Sequence, residues 1–140
     1  MSRCVIISAC PVSASLASAL RPGDTIIACD AGYRNCEPLH CRPDIIVGDF
    51  DTAPCPAQGD DDVIILPHVK DDTDTEYAAK LASEKGFDEV LLLGVLGGRR
   101  LEHTLANLCT GLGLEQRGVR ATLLDERSRI TFVMPGETRR

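Results

Sequence analysis

The sequence is poor in aromatic residues, with no tryptophan, two tyrosines and three phenylalanines. A platform on which a flat ring could stack is therefore not evident. No apolar stretch approaches the roughly 20 residues of a membrane-spanning helix, so we expect no membrane segment. Cations are also scarce, since 15 lysines and arginines face 21 aspartates and glutamates and leave a net charge of −6. This balance argues against a broad nucleic-acid-binding face.

Signals for disulfides are missing although the chain has seven cysteines. Their number is odd, no CxxC pair occurs and no signal-peptide pattern precedes them. One grouping has the residue types of metal ligands, but its spacing fits no zinc pattern: Cys36, His40, Cys41 and Cys55. We therefore expect a reduced, cytoplasmic protein.

The length of 140 residues suits one domain, which would bury roughly 68–70% of its unfolded surface. Short β-rich runs predict strands at 4–9, 25–29, 44–47, 63–66, 89–93 and 121–124. Helical patterns lie between most of them, at 12–20, 31–39, 73–85 and 101–117. This alternation predicts an α/β fold with a mainly parallel sheet and helices on both faces.

Two of the predicted helices carry clear end signals and apolar stripes. Thr73 and Glu76 form a capping box, and Gly86 is a C-terminal cap. The buried stripe of this helix is expected to be Tyr77, Ala78, Leu81 and Ala82. The stripe of the last helix is expected to be Leu101, Leu105, Leu108 and Leu112.

The segment DIIVGDFDT (44–52) is the most informative part of the chain. Its apolar run predicts a buried strand that ends at a glycine and is followed by two carboxylates, Asp49 and Asp51. Hard oxygen ligands at the end of a parallel strand are what Mg²⁺ needs when it holds phosphates in a cleft. The segment therefore indicates a magnesium site.

Polar groups follow three further predicted strands. Asp30 ends the second strand, Asp71 and Asp74 follow the fourth, and Gly97–Arg99 follow the fifth. Each alone has a simple structural explanation, such as a helix N-cap or a turn. In a parallel sheet, however, all these strand ends share the edge where ligands bind. Together they predict a Mg-nucleotide enzyme that moves phosphoryl groups.

Four motifs, in order and spacing, resemble the signatures of the thiamine pyrophosphokinase family: CDAGY (29–33), PDIIVGDFDT (43–52), DDTDTEYAAKLA (71–82) and GVLGGRRLEHTLANL (94–108). The resemblance runs over nearly the whole chain. It implies a Rossmann-like three-layer sandwich. It also implies the family's activity, the Mg²⁺-dependent transfer of a pyrophosphoryl group from ATP to the hydroxyl of thiamine, which releases AMP.

The resemblance further implies roles for individual residues. The metal ligands would be Asp49, Asp51 and Asp74, and with Arg99 they would form the catalytic set. The nucleotide-binding residues would be Asp30, Gly32, Asp71, Thr73, Gly97, Gly98, Arg99, Arg100, Glu102 and His103. Any of the three metal-binding carboxylates could act as the general base, and the sequence leaves that choice open.

The chain departs from the family pattern in two places. The family reads GGR-x-Asp-His, whereas GGRRLEH (97–103) is one residue longer and has Glu for Asp. Which arginine faces phosphate, and whether Glu102 replaces the aspartate, therefore stay open. Family members also carry a C-terminal β-rich domain that helps to bind thiamine and to form a dimer. We accordingly expect a catalytic domain over 1–125, the start of a truncated second domain over 126–140, and a homodimer.

Two other functions compete with this interpretation. DFDT superficially resembles the DxDxT of aspartyl-nucleophile phosphatases of the haloacid-dehalogenase type. There the threonine lies two residues past the second aspartate, whereas Thr52 follows Asp51 directly. The other alternative is a nucleotide-binding module without turnover. Release of AMP from ATP that requires both Mg²⁺ and thiamine would distinguish the pyrophosphokinase from both.

Overall fold

The computed structural model describes residues 2–48, 64–67 and 73–137. Seven strands lie in this part of the chain: β1 (Arg3–Ile7), β2 (Thr25–Cys29), β3 (Ile45–Gly48), β4 (Ile64–Pro67), β5 (Glu89–Leu93), β6 (Arg120–Leu124) and β7 (Arg129–Ile130). The helices are α1 (Asp74–Glu84), α2 (Leu101–Gln116) and two 3-10 helices (Ala14–Ala19 and Asp30–Cys36).

The strands form one sheet in the order β4-β3-β2-β1-β5-β6-β7. Neighbours run parallel except for β6 and β7. The chain moves outward from β1 to β4 and then returns to place β5 on the other side of β1. The strand order therefore reverses between β1 and β5, and open parallel sheets bind their ligands at such a point.

Both faces of the sheet are buried, so the core has two layers. One cluster joins α1 and α2 to the sheet and contains Ile6, Leu92 and Leu114. The opposite cluster lies under the 3-10 helices and contains Ile7 and Leu39. Strands buried on both faces read as continuous apolar runs, which is why the pattern predicted them well. The predicted α/β architecture with helices on both faces is confirmed.

The ends of α1 agree with the sequence signals. The Thr73 hydroxyl accepts a hydrogen bond from the Glu76 N–H at 3.1 Å, and Gly86 adopts a φ of 83° after the helix. The inward face also matches the predicted stripe, with Ala78 and Ala82 buried and Tyr77 and Leu81 partly buried against the core.

The predicted leucine stripe of α2 is wrong at three of its four positions, since only Leu108 packs against the core. Leu101, Leu105 and Leu112 are 70%, 54% and 40% exposed. Apart from Leu114, the buried residues of this helix are polar or small: Asn107, Thr110, Gly111, Leu114 and Glu115. A Cβ at Gly111 would lie 2.7 Å from two ring atoms of Phe132. Close packing at this glycine thus sets which face of α2 turns inward.

The helical segments before β2 and β3 are shorter than predicted and are 3-10 rather than α-helical. In the second of them, a Cβ at Gly32 would lie 2.2 Å from the Ile7 carbonyl oxygen, so this segment sits directly against β1. Strand β7 was not predicted, since two residues are too few for a pattern. The boundary after residue 125 stays a prediction, although β7 extends the same sheet.

Among the described residues, no helix combines the length and apolar character that spanning a bilayer requires.

Candidate active site

A cavity of about 220 Å³ lies where the strand order reverses. It is bounded by the ends of β1, β2 and β5, by the start of α1 and by the first turns of α2. Its lining residues are Ser8, Ala9, Cys10, Cys29, Ala31, Thr73, Asp74, Thr75, Gly94, His103, Ala106 and Asn107. The cavity therefore occupies the edge of the sheet where the sequence predicted a ligand.

The floor of the cavity is the close crossing of the segments that leave β1 and β5. The Ser8 N–H donates to the Leu93 carbonyl at 2.8 Å, and the Cys10 N–H donates to the Gly94 carbonyl at 2.9 Å. Gly94 has a φ of 71°, and a Cβ there would lie 2.2 Å from the Ser8 carbonyl oxygen. Both the dihedral angle and the close approach require glycine at this position.

The chain's only two asparagines hold the loops on either side of this crossing. The Asn35 side-chain amide donates to the carbonyls of Ser8 at 2.7 Å and Cys10 at 2.9 Å. The Asn107 amide donates to the Val95 carbonyl at 2.9 Å. Both asparagines are buried. Neither asparagine was predicted as a site residue, although an asparagine within an apolar helical segment is a usable signal for a buried polar contact.

The start of α1 is fixed to the sheet by two contacts. The buried hydroxyls of Ser8 and Thr75 share a hydrogen bond of 2.5 Å, and the Cys29 thiol donates to the Asp74 carbonyl at 3.6 Å. Burial raises the pKa of Cys29 to about 12, so it stays a protonated donor. The helix thereby directs its N-terminus at the cavity, and the N–H groups of a first helical turn favour anions.

The glycine-rich loop after β5 turns over the same edge. Gly97 and Gly98 have φ values of 81° and 85°. The Gly97 carbonyl accepts from the Thr104 hydroxyl at 3.2 Å and from the Cys10 thiol at 3.6 Å. Consecutive glycines in this conformation allow backbone N–H groups to come close to an incoming oxygen ligand.

The two adjacent arginines of this loop differ in their partners. The Arg100 Nε donates to the Glu102 Oε1 at 2.6 Å, and both side chains are exposed. This hydrogen bond lowers the pKa of Glu102. Arg99 is also exposed but makes no hydrogen bond or ion pair with any residue in the described segments. Arg99 is thus the cation that is available to a ligand.

The structure brings only some of the predicted site residues to the cavity. Thr73, Asp74 and His103 line it, and Gly97–Arg100 lie in the loop after β5. Glu102 is not part of the lining, and Gly32 packs against β1 instead. Asp30 begins the second 3-10 helix. Three predicted residues lie outside the described residues: Asp49, Asp51 and Asp71.

The predicted magnesium ligands are represented here by Asp74 alone. It is half-buried and lines the cavity at the start of α1. Within the described segments, no group of three or more histidines, cysteines, aspartates or glutamates is placed to hold a metal ion. Asp49 comes directly after Gly48, the last residue of β3.

Comparison with known families decides the relationship. The model of the family "thiamin pyrophosphokinase, catalytic domain" matches residues 16–123. The chain belongs to the thiamine pyrophosphokinase catalytic-domain family. No curated protein sequence matches it. Of the cavity-lining residues, only Ser8, Ala9 and Cys10 precede the segment that matches the family.

Solved structures of thiamine pyrophosphokinases share this fold. The enzyme from Bacillus subtilis superposes with a TM-score of 0.80 at 22% identity, over 93% of this chain and 64% of its own. The enzyme from Geobacillus thermodenitrificans gives 0.73 at 26% identity, over 88% and 59%. The enzyme from Candida albicans gives 0.74 at 15% identity, over 93% and 60%. The chain thus spans less than two thirds of the length of these three proteins.

Proposed function

We propose that the chain is a thiamine diphosphokinase, which transfers a pyrophosphoryl group from ATP to the hydroxyl of thiamine and releases thiamine diphosphate and AMP. The observation that carries the proposal is the cavity between the ends of β1 and β5. It lies at a helix N-terminus, and the glycine-rich loop with its available arginine follows β5 at the same edge of the sheet, in a chain of this family. Each of these three features favours bound phosphate.

The triphosphate of ATP would lie between α1 and the loop after β5. Thr73 and Asp74 begin α1 at the wall of the cavity, so the first helical turn directs N–H groups toward it. Gly97 and Gly98 allow the opposite loop to approach phosphate oxygens without a Cβ in the way. Arg99 would then neutralise the charge that accumulates on the transferred group.

Magnesium would be held by Asp49, Asp51 and Asp74. Three carboxylates are hard oxygen ligands, the type that Mg²⁺ prefers, and Asp74 already lines the cavity. The residue types therefore fit the ion. When bound, Mg²⁺ would offset the negative charge of the phosphates.

In the proposed reaction, the thiamine hydroxyl oxygen attacks the β-phosphorus of ATP. The bond between that phosphorus and the oxygen bridging to the α-phosphate breaks, and AMP leaves. The hydroxyl proton passes to a carboxylate, for which Asp49, Asp51 and Asp74 are the candidates. The protein's main contribution is to position the two substrates and to stabilise charge, since phosphoryl transfer asks for little covalent work.

A direct test is to measure AMP release from ATP with the purified chain. We expect AMP and thiamine diphosphate to appear together, and only when both Mg²⁺ and thiamine are present. Release of inorganic phosphate without AMP would instead favour the aspartyl-nucleophile phosphatase. ATP binding by calorimetry with no product would favour a binding module without turnover. Either result would overturn the proposal.

We also propose that the chain forms a two-fold homodimer in a reducing, cytoplasmic environment. Leu101, Leu105 and Leu112 of α2 are exposed, and burying them against a second copy would remove apolar area from water. The six described cysteines are all free thiols. Sedimentation of Leu105→Arg should show a monomer, whereas Val133→Arg, at an exposed position outside α2, should leave the dimer intact. A wild-type monomer would contradict the dimer.

A further inference from the structure

Three of the helices that the structure describes end in the same type of turn. At the end of α1 the N–H groups of Gly86 and Phe87 donate to the carbonyls of Ser83 at 3.1 Å and Ala82 at 3.2 Å. At the end of α2 the N–H groups of Gly118 and Val119 donate to Glu115 at 3.0 Å and Leu114 at 2.9 Å. This pair of bonds around a left-handed residue defines the Schellman motif.

The third turn follows the 3-10 helix Asp30–Cys36 and has the same pair of bonds. The His40 N–H donates to the Glu37 carbonyl and the Cys41 N–H donates to the Cys36 carbonyl, both at 3.0 Å. His40 occupies the left-handed position with a φ of 53°, and it is the one described residue other than glycine with a positive φ. This turn therefore forms without the glycine that usually occupies its left-handed position.

The motif determines which two side chains meet. The residues at the two ends of its longer hydrogen bond usually make an apolar contact. In the first two turns these residues are Ala82 with Phe87 and Leu114 with Val119, and both pairs belong to the core under α1 and α2. In the third turn the corresponding pair is Cys36 with Cys41, packed in the opposite core. Two thiols thus occupy a position where the fold brings side chains into contact.

The two thiols have different environments. Cys36 is only 4% exposed, whereas Cys41 is partly exposed. The interaction between the two thiols raises the pKa of Cys36 and lowers the pKa of Cys41. Cys41 is therefore the sulfur that solvent can reach, its lowered pKa favours it as the attacking thiol, and Cys36 is its buried partner.

We propose that Cys36 and Cys41 form a redox-modification site, at which a peroxide converts the two thiols into a reversible intramolecular disulfide. The Cys41 thiolate attacks one oxygen of hydrogen peroxide, the O–O bond breaks, and the departing hydroxide leaves as water after taking up a proton. The resulting sulfenic acid is attacked by the Cys36 sulfur. The S–S bond forms, the S–O bond breaks, and the hydroxyl departs with the Cys36 proton as a second water.

Other cysteines are less suited to this chemistry. Burial raises the pKa of Cys4 and of Cys29 to about 12, so both remain unreactive thiols. Cys109 is exposed on α2 and lies far along the chain from the turn. The site also adjoins Asn35, which precedes Cys36 and holds the segment after β1 at the cavity. A covalent change here thus borders the proposed active site.

The test is limited oxidation of the whole chain with hydrogen peroxide, followed by alkylation of the remaining thiols and intact mass measurement. We expect two of the seven thiols to be lost together, the mass to fall by two hydrogens before alkylation, and dithiothreitol to restore both. Peptide mapping should place the bond between Cys36 and Cys41. The proposal is overturned if Cys109 oxidises first, or if a different pair is linked.

Variants provide the matched comparison. Cys109→Ser should lose two thiols as the wild type does. In Cys41→Ser, the Cys36 thiol should stay reduced and no pair of thiols should be lost. In Cys36→Ala, peroxide should leave a Cys41 sulfenic acid that dimedone traps. If Cys36→Ala does not fold, the Cys41→Ser comparison decides alone. Unchanged loss of two thiols in Cys41→Ser would refute the assignment.

Discussion

At the scale of single residues, Arg99 and Arg100 are neighbours with different partners. Arg100 is bound to Glu102, while Arg99 has no partner among the described residues. We expect Arg99→Ala to slow pyrophosphoryl transfer by a factor on the order of 10²–10³, because one charged contact to the transition state is lost. Arg99→Lys should rescue only part of the rate, since lysine cannot bind phosphate in a bidentate way. Steady-state rates should show a much smaller loss for Arg100→Ala, and the reverse order would contradict the assignment.

The carboxylates after β3 provide a second prediction. Asp49→Asn and Asp51→Asn should each abolish Mg²⁺-dependent turnover, because each removes a proposed ligand. Folding should be unharmed, since carboxylates around an empty cation site repel one another. Circular dichroism and the AMP assay on the same samples would check both parts. Asp60→Asn, at a carboxylate further along the sequence, is the matched control and should keep its activity. Near-wild-type turnover by both Asp49→Asn and Asp51→Asn would rule out the metal site.

Gly94 allows the cost of close approach to be separated from the cost of a left-handed backbone. Gly23 has a φ of 89° with nothing within 4 Å of an added Cβ, whereas the same Cβ at Gly94 would lie 2.2 Å from the Ser8 carbonyl. Gly23→Ala should lower the free energy of unfolding by about 1–2 kcal/mol, the cost of the left-handed conformation. Gly94→Ala should cost clearly more in urea titration, and equal losses would show that the crossing can relax.

At the scale of elements, α2 carries two glycines in different surroundings. A Cβ at Gly111 would lie 2.7 Å from Phe132 and 2.9 Å from Leu123, whereas a Cβ at Gly113 would have only the Arg117 side chain nearby, at 3.9 Å. Gly113→Ala should therefore stabilise the protein by up to about 1 kcal/mol through helix propensity.

Gly111→Ala gains the same propensity but displaces Phe132, so it should be destabilising by roughly 1–3 kcal/mol. Thermal unfolding of the two variants would give opposite shifts. Combining Gly111→Ala with Phe132→Leu should recover part of the loss. If Gly111→Ala were as stabilising as Gly113→Ala, the close packing of α2 on Phe132 would be wrong.

The strands and α1 were predictable because their signals are local. Apolar runs mark strands buried on both faces, and the cap of α1 lies within four residues of its start. The orientation of α2 was not predictable in this way. Its leucines recur at helical spacing, yet the inward face is selected by the close approach at Gly111 and the hydrogen bond of Asn107. Hydrophobic periodicity measures apolar content and does not detect either contact.

The site residues likewise fall into those that could be predicted from the sequence and those that could not. The strand-end motifs at Asp74 and Gly97 could be read directly, since topology brings parallel strand ends to one edge. Asn35 and Thr75 could not, because their partners near the end of β1 lie 27 and 67 residues away in the sequence. Such contacts depend on the assembled sheet. They position the site, so a motif search identifies the ligand-facing groups and misses the residues that hold them.

At the scale of the whole molecule, one largely buried ion pair links the start of β1 to the turn before β2. Arg3 Nη2 and Nε contact the two Asp24 carboxylate oxygens at 2.6 and 2.9 Å, and the side chains are 9% and 5% exposed. The Arg21 N–H donates to the same carboxylate at 2.8 Å. Burial alone would raise the pKa of Asp24, but the hydrogen bonds from Arg3 and Arg21 outweigh it and lower the pKa.

The Arg3–Asp24 ion pair should contribute to the loss of stability at low pH. Because the folded pKa of Asp24 is depressed, its contribution to stability is complete above the unfolded pKa of about 3.9 and is lost as pH falls through the folded value. Asp24→Asn leaves Arg3 buried without its partner, so it should lower the free energy of unfolding at neutral pH by about 3–5 kcal/mol. It should also flatten the decline in stability below about pH 4. Urea titrations across pH would measure both effects, with the exposed Glu126→Gln as a control that follows the wild-type curve. If the free energy of unfolding fell with pH as steeply in Asp24→Asn as in the wild type, other carboxylates would govern acid unfolding.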